Sequence, residues 1–251
     1  NDPFGKQLNQ VMEEFKVDTK HVHLDPNHFT TFAFVSLMLD GERDFVFNRG
    51  ADAQLSVEEV AAIDLSSTNI IHFGSATAFL DGSLNAAYYY LLESAKNQGK
   101  TISFDPNLRP ALWRSTDEMR TSINTLAAKA DWVFPGLQEG QLLTGKDTPV
   151  DIAAFYRAQG AQCVVVKLGD AGAYYDSDTG TGLVPAFPVA HVVDTVGAGD
   201  AFAVGVISGL LEKLPLQKAV ERAAWMGARA TQVRGDCEGL PNREELIAAD
   251  F

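Results

Sequence analysis

Cysteine is scarce in this chain of 251 residues, where only Cys163, inside an apolar run, and Cys237, in a glycine-flanked loop, are present. The two residues do not have the spacing of a metal site. Such low cysteine usage is typical of a reducing compartment, where structural disulfides are rare. We therefore expect neither a structural disulfide nor a cysteine-based metal centre.

Positive charge is also in short supply. Lys and Arg total 20 against 33 Asp and Glu, which gives a formal net charge of -13 at pH 7. Such a charge repels nucleic acid and anionic membrane surfaces. The composition therefore argues against nucleic-acid and membrane partners, and any anionic ligand must be held by a local arrangement of donors.

Long apolar runs are missing as well. No run approaches 18 residues, and the first residues do not have the pattern of a signal peptide. Nothing argues for a membrane span or for export, so we expect a cytoplasmic protein. Hydrophobic residues still make up 46% of the chain, which is ample for the packed core of one α/β domain with or without a small appendage.

The first part of the chain predicts a helix followed by a β-hairpin. Apolar residues recur at helical spacing up to about Val17. They are Leu8, Val11, Met12 and Phe15. Residues 30–39 and 44–47 are rich in β-forming residues, and Asp40-Gly41 between them is a strong hairpin signal.

Strand and helix patterns alternate from Asn69 onward. This order predicts an α/β fold in which a mainly parallel sheet is covered by helices. The predicted strands are 69–73, 101–104, 132–134 and 163–166, and the predicted helices are 81–96, 115–129, 139–143, 150–158, 198–211, 216–231 and a short one after Asn242. Residues 172–176 and 182–184, separated by a turn-rich stretch, predict a hairpin that makes the sheet mixed.

The most informative segment is 192–210, in which an apolar strand end leads through Gly197, Ala198 and Gly199 to Asp200 and an apolar helix. Small residues at a helix start leave backbone N–H groups uncovered, and the helix dipole adds positive charge there, so such a turn binds an anion. A carboxylate in the same turn could accept the proton of an attacking hydroxyl. It could equally serve only to cap the helix, and spacing alone favours neither interpretation.

The whole string from Asp194 to Phe202 resembles the ribokinase-like (PfkB-type) carbohydrate kinase family, and the resemblance extends along essentially the whole chain. It implies a three-layer α/β/α core with a mostly parallel sheet, a small β lid, and ATP and Mg²⁺ as cofactors. The family's signature aligns with Asp194, Thr195, Gly197, Ala198, Gly199 and Asp200. The resemblance implies that Gly197 to Gly199 form the anion hole, that Thr195 lies beside the nucleotide and that Asp200 is the catalytic base.

A second polar cluster, Asp105, Asn107 and Arg109, directly follows a predicted strand. Loops at the carboxyl ends of parallel strands carry ligand groups in α/β sheets, so these side chains are expected to face a cleft. Arg109 could clamp a phosphate or a carboxylate there. The alternative is an Asp-Pro-Asn turn with an exposed Arg. The string resembles that of fructokinases and 2-keto-3-deoxygluconate kinases, which favours substrate binding by all three residues and a catalytic role for Arg109.

Arg49 follows the predicted hairpin, where an Arg is ordinarily a solvated charge at a sheet edge. In the sugar kinases that the chain resembles, an Arg at this place belongs to the substrate-facing lid, which makes Arg49 a candidate for sugar contact. Asn48 stands where those kinases usually have an aromatic residue. The resemblance thus implies a lid over residues 29–49 and a core over 1–28 and 50–251.

Three more segments match the family on the nucleotide side. Glu139 aligns with the Glu of an Asn-x-x-Glu element that organises magnesium and phosphate indirectly, although Gly136 replaces the Asn. A Glu in a first helical turn is also simply favourable with the helix dipole. The turns that align with the family's phosphate, ribose and adenine contacts contain Lys167, Gly169, Gly172, Gly235 and Gly239. By composition alone both turns are only glycine-rich connections.

The loop at 235–241 is also a candidate for binding a monovalent cation such as K⁺ through its carbonyls. Together with Arg243-Glu244-Glu245-Leu246 and Val204-Gly205-Val206, it resembles 2-keto-3-deoxygluconate kinases in particular. We therefore expect a sugar acid as substrate, with fructose as the alternative. A non-catalytic sugar or nucleotide sensor on the same fold is the alternative of another class.

The resemblance also implies two features beyond the site. Lid strands of the family often pair between subunits, so we expect a homodimer through the lid. The family has an earlier segment, with the first core strand and further sugar-binding residues, that we do not find before Asn1. We therefore expect the list of site residues to be incomplete.

Overall fold

The computed structural model describes residues 1–37, 43–74 and 82–251. The chain divides into two compact units. The first contains the described residues of Asn1–Thr68 and Thr77–Gly99, and the second those of Asn69–Ala76 and Lys100–Phe251. The division into a core and a lid at residues 29–49 stays a prediction.

The first unit contains three helices and a hairpin within the described residues. In chain order they are α1 (Pro3–Glu14), β1 (Phe32–Leu37), β2 (Arg43–Asn48), α2 (Val57–Ala61) and α3 (Ser83–Asn97). The Asp2 carboxylate caps α1, accepting hydrogen bonds from the backbone N–H groups of Gly5 and Thr30. Strands β1 and β2 pair antiparallel, which confirms the predicted hairpin. Its predicted Asp40-Gly41 turn, like the Asp81 predicted to cap α3, lies outside the described residues.

The second unit is built on one mixed six-stranded sheet. Its strands are β3 (Ile70–Gly74), β4 (Thr101–Asp105), β5 (Trp132–Val133), β6 (Cys163–Lys167), β7 (Ala173–Ser177) and β8 (Gly180–Val184). They lie side by side in chain order. The first four are parallel, and β6, β7 and β8 pair antiparallel, which confirms the predicted mixed sheet.

Helices cover both faces of this sheet, as predicted for a three-layer α/β/α core. They are α4 (Thr116–Ala127), α5 (Leu137–Thr144), α6 (Pro149–Ala158), α7 (Ala198–Leu211), α8 (Leu216–Ala230) and α9 (Arg243–Ala248). Val165 packs with residues of α7 and α8. Because side chains alternate along a strand, Val164 and Val166 point to the other face. All three valines are fully buried, so β6 is covered on both sides.

One local prediction is wrong: the segment before the helix at 198–211 does not form a strand within the described residues. Instead, the backbone N–H groups of Val193 and Asp194 donate to the carbonyl of Thr231, just beyond α8, at 2.8 and 3.2 Å. The apolar pattern at Val192–Val193 predicts a strand because β-branched residues favour an extended backbone. This preference is the same whether or not a partner strand is present. The end of α8, and not a sheet neighbour, therefore places the turn that follows.

In the part of the chain that the structure describes, the helices are too short or too polar to cross a membrane.

Candidate active site

The turn at the start of α7 is built to receive an anion. Gly197 caps the helix in the left-handed region, at a φ of 75°. The N–H of Ala201 donates to the Gly197 carbonyl at 2.8 Å, whereas the N–H groups of Gly199 and Asp200 find no acceptor among the described residues. These two amides lie at the positive end of the helix dipole. Asp200 is exposed beside them, where a bound molecule can reach its carboxylate.

Two contacts shape this turn. The Asp194 carboxylate accepts a hydrogen bond from the Val196 N–H at 3.0 Å, which bends the chain ahead of the helix. A Cβ at Gly197 would collide with the backbone carbonyl of Asp236. The loop at 235–239 therefore packs directly on the turn, and only glycine fits both this close approach and the positive φ.

A buried ion pair lies beside the turn. Asp105 ends β4 and Lys167 ends β6, and their Oδ2 and Nζ atoms are 2.5 Å apart. Asp105 is only 4% exposed. Burial raises the pKa of its carboxyl group to about 6, although Lys167 acts against the rise. A Cβ built on Gly199 would lie 3.8 Å from Lys167 Nζ, so the ammonium group is close to the anion-binding turn.

The loop after β4 is held in shape by its own polar groups. Asn107 has a left-handed φ of 39°, and its N–H donates to Asp105 Oδ1 at 3.2 Å. The Arg109 guanidinium donates to Asn107 Oδ1 at 2.7 Å through Nη1. The three residues predicted to bind substrate are thus neighbours, but Asp105 is directed into the protein and not into an open cleft.

Glu139 connects this loop to α5. Its carboxylate accepts hydrogen bonds from the N–H groups of Leu108 and Gly136, both at 2.7 Å. Both oxygens are therefore used to hold the β4 loop and the helix start together. This positioning of the backbone is what the structure shows for Glu139; its predicted indirect link to a metal stays a prediction.

The described residues do not form a protein-built magnesium site. No group of three or more His, Cys, Asp or Glu side chains among them is close enough to hold a metal ion. Magnesium in phosphotransferases is commonly held by one or two carboxylates together with the phosphates of the nucleotide. A metal that arrives with its nucleotide would not require such a group.

A cavity of about 630 Å³ opens next to the turn. Its lining includes six of the residues predicted for catalysis or nucleotide binding, namely Lys167, Gly169, Gly172, Thr195, Ala198 and Gly199. The rest of the wall is mostly apolar and includes Phe187, Val192 and Phe202. Gly235 and Gly239 are not among the lining residues, and their loop instead contacts the cavity's neighbour Gly197.

Sequence reasoning missed the apolar wall at 186–192, because no fixed spacing of polar residues marks it. An aromatic and β-branched surface beside a turn with uncovered amides suits a flat, weakly polar ring such as a nucleobase. The only signal was the unusual concentration of Phe, Pro and Val ahead of the signature string.

Arg49 belongs to the first unit. Its guanidinium forms an ion pair there with the carboxylate of Asp52, one turn further along the chain.

His72 is a further residue that sequence reasoning missed. It lies on β3 opposite Ser103 of β4, and its Nδ1 is 2.9 Å from the Ser103 hydroxyl. Although part of the residue remains accessible, desolvation of the ring lowers its pKa below the ordinary value. The Asp200 charge opposes this shift and the Lys167 charge adds to it. His72 therefore senses both charges of the candidate site.

We expect the pKa of His72, followed by NMR, to fall further in Asp200→Asn, because the carboxylate that stabilises the imidazolium is removed. Lys167→Met should raise the same pKa, because a repelling charge is lost. Asp178→Asn, at the exposed β7–β8 turn, is the control and should leave it unchanged. An unchanged His72 pKa in both site variants would contradict the electrostatic arrangement described above.

Comparison with known proteins places these observations in a family. The family model described as "pfkB family carbohydrate kinase" matches residues 1–243. The chain is 39% identical to the 2-dehydro-3-deoxygluconokinase of Bacillus subtilis (strain 168) over 251 residues, covering 99% of this chain and 78% of that protein.

Solved structures agree with this match. A fructokinase double mutant from Vibrio cholerae O395, bound to fructose, ADP and potassium ion, has a TM-score of 0.87 and 28% identity over 99% of this chain and 81% of that one. A putative ribokinase II from E. coli in complex with ATP and Mg²⁺ has a TM-score of 0.87 and 29% identity over 99% and 79% of the two chains.

Proposed function

The chain belongs to the pfkB family of carbohydrate kinases and is therefore a phosphotransferase with a sugar acceptor. We propose that it transfers the γ-phosphate of ATP to the hydroxymethyl group of 2-keto-3-deoxygluconate. The observation that carries this proposal is the meeting of three features in one place. They are the unbonded amides of Gly199 and Asp200, the ammonium group of Lys167, and the adjoining cavity.

In the proposed reaction, the oxygen of the sugar hydroxyl forms a bond to the γ-phosphorus. Asp200 accepts the proton that this hydroxyl loses. The bond from this phosphorus to the bridging oxygen breaks, and ADP leaves. The amides of Gly199 and Asp200 and the Lys167 ammonium group meet the negative charge on the transferred phosphate. Most of the acceleration would come from positioning and from this charge stabilisation.

The nucleotide has a matching place beside these groups. The base and ribose would occupy the cavity, with the apolar wall against the ring and the Gly169–Gly172 turn beside the phosphates. Magnesium would neutralise the phosphates that it accompanies. A monovalent cation such as K⁺ at the 235–239 loop is part of the proposal, supported by the potassium named with the V. cholerae fructokinase.

A sugar acid is proposed over fructose because the chain is 39% identical to a kinase named for a sugar acid, whereas curated fructokinases that it also matches are 30–34% identical. Arg109 is the proposed partner of the acid's carboxylate, and sugar contact by Arg49 stays a prediction. The Arg109 guanidinium uses Nη1 for the loop at 107–108, which orients its planar fork. The neutral ketose fructose, which the V. cholerae neighbour binds, is the competing substrate.

A cytoplasmic location and a homodimer through the hairpin complete the proposal. On the hairpin, Phe34 of β1 pairs with Val46 of β2, and their side chains are 63% and 62% exposed. An apolar cross-strand pair of this kind offers a surface for a second copy. Light scattering that gave the mass of one chain would contradict the homodimer.

The substrate assignment is tested by ATP-dependent phosphorylation of 2-keto-3-deoxygluconate, fructose, 5-keto-2-deoxygluconate and ribose by the protein with magnesium. We expect the largest kcat/KM for the keto acid. The margin over fructose should be about tenfold or more, because a hydrogen bond to a charged group contributes about 1.5–3 kcal/mol.

Asp200→Asn is the control that separates transfer by this site from a contaminating kinase. A preference for fructose would replace the proposed substrate with the alternative. Binding without transfer, for every sugar tested, would contradict the kinase activity itself.

A further inference from the structure

Asp105 and Lys167 were expected to act separately, one on the sugar and the other on the nucleotide, but the structure joins them in one contact. We infer that Asp105 is a positioning residue whose carboxylate holds the Lys167 ammonium group beside the Gly197–Asp200 turn, so that Lys167 and not Asp105 touches the transferred phosphate. This inference deepens the proposed kinase function and rests on it.

The surroundings of Asp105 leave little room for a sugar. Its side chain is 5% exposed. One carboxylate oxygen accepts from Lys167 Nζ and the other from the Asn107 N–H. A buried carboxylate whose two oxygens already have protein donors gains little by binding a sugar hydroxyl, and most of that surface is closed to one.

The placement of Lys167 supports the second half of the inference. Lys167 lies on β6, and the carboxylate that it contacts lies on β4, on the other side of β5. Neighbouring strands are about 4.8 Å apart, so the lysine side chain must extend across the end of β5 to reach it. Its stem has several freely rotating bonds, and a fixed carboxylate is what selects this one direction.

The ammonium group keeps donors for a second partner. It carries three N–H groups, and Asp105 uses one of them. A phosphate held by the turn would lie in the cavity, beside the Gly199 backbone. Lys167 lines this cavity too, and its ammonium group is close to Gly199. Lys167 is 19% exposed on its side chain, so it is accessible from the cavity side while its partner is not.

The pair is also expected to respond to pH. Asp105 faces Lys167 of β6 and Glu139 of α5, and Lys167 also interacts with His72 of β3, which in turn interacts with Asp200 of α7. With burial the largest contribution, the pKa of Asp105 is raised to about 6. Below that pH the carboxyl group is protonated, and it no longer attracts the ammonium group.

The test is a double-mutant cycle of Asp105→Asn and Lys167→Met, measured with whichever sugar the wild-type protein phosphorylates best. We expect each single variant to lower kcat by about 10²- to 10³-fold, the range for losing one donor to developing charge. The double variant should be no slower than the slower single variant, because both changes remove one function. The KM for the sugar should stay within about twofold in Asp105→Asn.

The pH profile gives a readout that a purely structural role would not change. In the wild-type protein kcat should fall as the pH decreases through about 6. Both single variants should lose this acid limb, because it requires the carboxylate and the ammonium group together. Asp105→Asn cannot be used if its thermal transition shows that it does not fold. In that case the test is whether Lys167→Met loses the acid limb of the kcat profile.

Losses that multiply in the double variant, or an increased sugar KM with unchanged kcat in Asp105→Asn, would overturn the inference. A measurement that does not depend on turnover tests the Asp105–Lys167 contact separately from the proposed kinase function. The ¹⁵Nζ signal of Lys167 should be visible by NMR in the wild-type protein at pH 7.5 and be lost in Asp105→Asn. A protein that shows this signal change but phosphorylates no sugar would contradict the proposed function and leave the pair in place.

Discussion

Replacing Asp200 by asparagine should lower kcat by about 10²- to 10⁴-fold, the usual contribution of a positioned general base, while leaving the fold intact. Asp200 is exposed in the first turn of α7, and its side chain is not needed to cap the helix, since Gly197 takes that position. Asparagine has nearly the same shape and keeps the unbonded backbone N–H at the helix start. The negative charge and the ability to accept a proton are removed.

Steady-state kinetics with ATP and the preferred sugar, together with circular dichroism, measure this effect. Asp194→Asn is a useful companion, because its carboxylate accepts a hydrogen bond from the Val196 N–H within the same turn. It should lose less activity than Asp200→Asn. Equal kcat in wild type and Asp200→Asn would contradict the role of Asp200 as the base.

Gly197→Ala should lower stability and activity together. Alanine at a φ of 75° costs about 1–2 kcal/mol, and the collision of its Cβ with the Asp236 carbonyl adds about 1–3 kcal/mol. The collision also forces the 235–239 loop or the turn to move. Because misplacement by about 1 Å can cost about 10²-fold in rate, kcat should fall by roughly that factor.

Gly199→Ala is the matched control for stability. Gly199 has no positive φ, and its added Cβ would meet only the flexible end of Lys167, at 3.8 Å. Alanine is favoured over glycine in a helix by about 0.5–1 kcal/mol, so this variant should be as stable as the wild type or more stable. Urea denaturation of both variants decides the matter, and equal loss of stability at the two positions would contradict the close approach at Gly197.

The alternation of strands and helices could be predicted from local sequence patterns. The predicted strands at 101–104 and 163–166 and the long helices at 198–211 and 216–231 are present with shifts of a residue or so. The periodicity that marks a long helix or a short buried strand lies in residues that are neighbours in the chain. It can therefore be recognised in the sequence directly. The hairpin at 173–184 was marked equally well by its turn-forming residues.

The geometry of the turn at 197–200 was predictable for a similar reason. Gly197, Gly199 and Asp200 lie within four positions, so a tight turn with uncovered amides at a helix start is a local feature, whereas spacing alone left the role of Asp200 open. The strand expected before the turn was not predictable in this way. Whether Val192–Val193 pairs with a strand or with the end of α8 depends on a partner, Thr231, that lies far along the chain.

Side-chain direction was the main thing that local patterns could not supply. Asp105 stands at the end of a strand, the usual place for a ligand group, yet it is buried against Lys167, 62 residues away. Glu139 was predicted to organise magnesium only indirectly, and the structure adds that it holds two backbone amides of separate segments. In both cases the deciding partner comes from another strand or loop, which a motif does not contain.

By itself, the sequence determined the α/β class, the acidic charge of the chain, and the turn at 197–200 with its candidate base. These follow from composition and from residues that are neighbours in the chain. Only the tertiary structure decided that Asp105 and Lys167 are in contact, that His72 lies within the electrostatic influence of Asp200, and that the Asp236 carbonyl lies against Gly197. Each of these depends on distances between segments far apart in sequence, which packing of the sheet and its helices establishes.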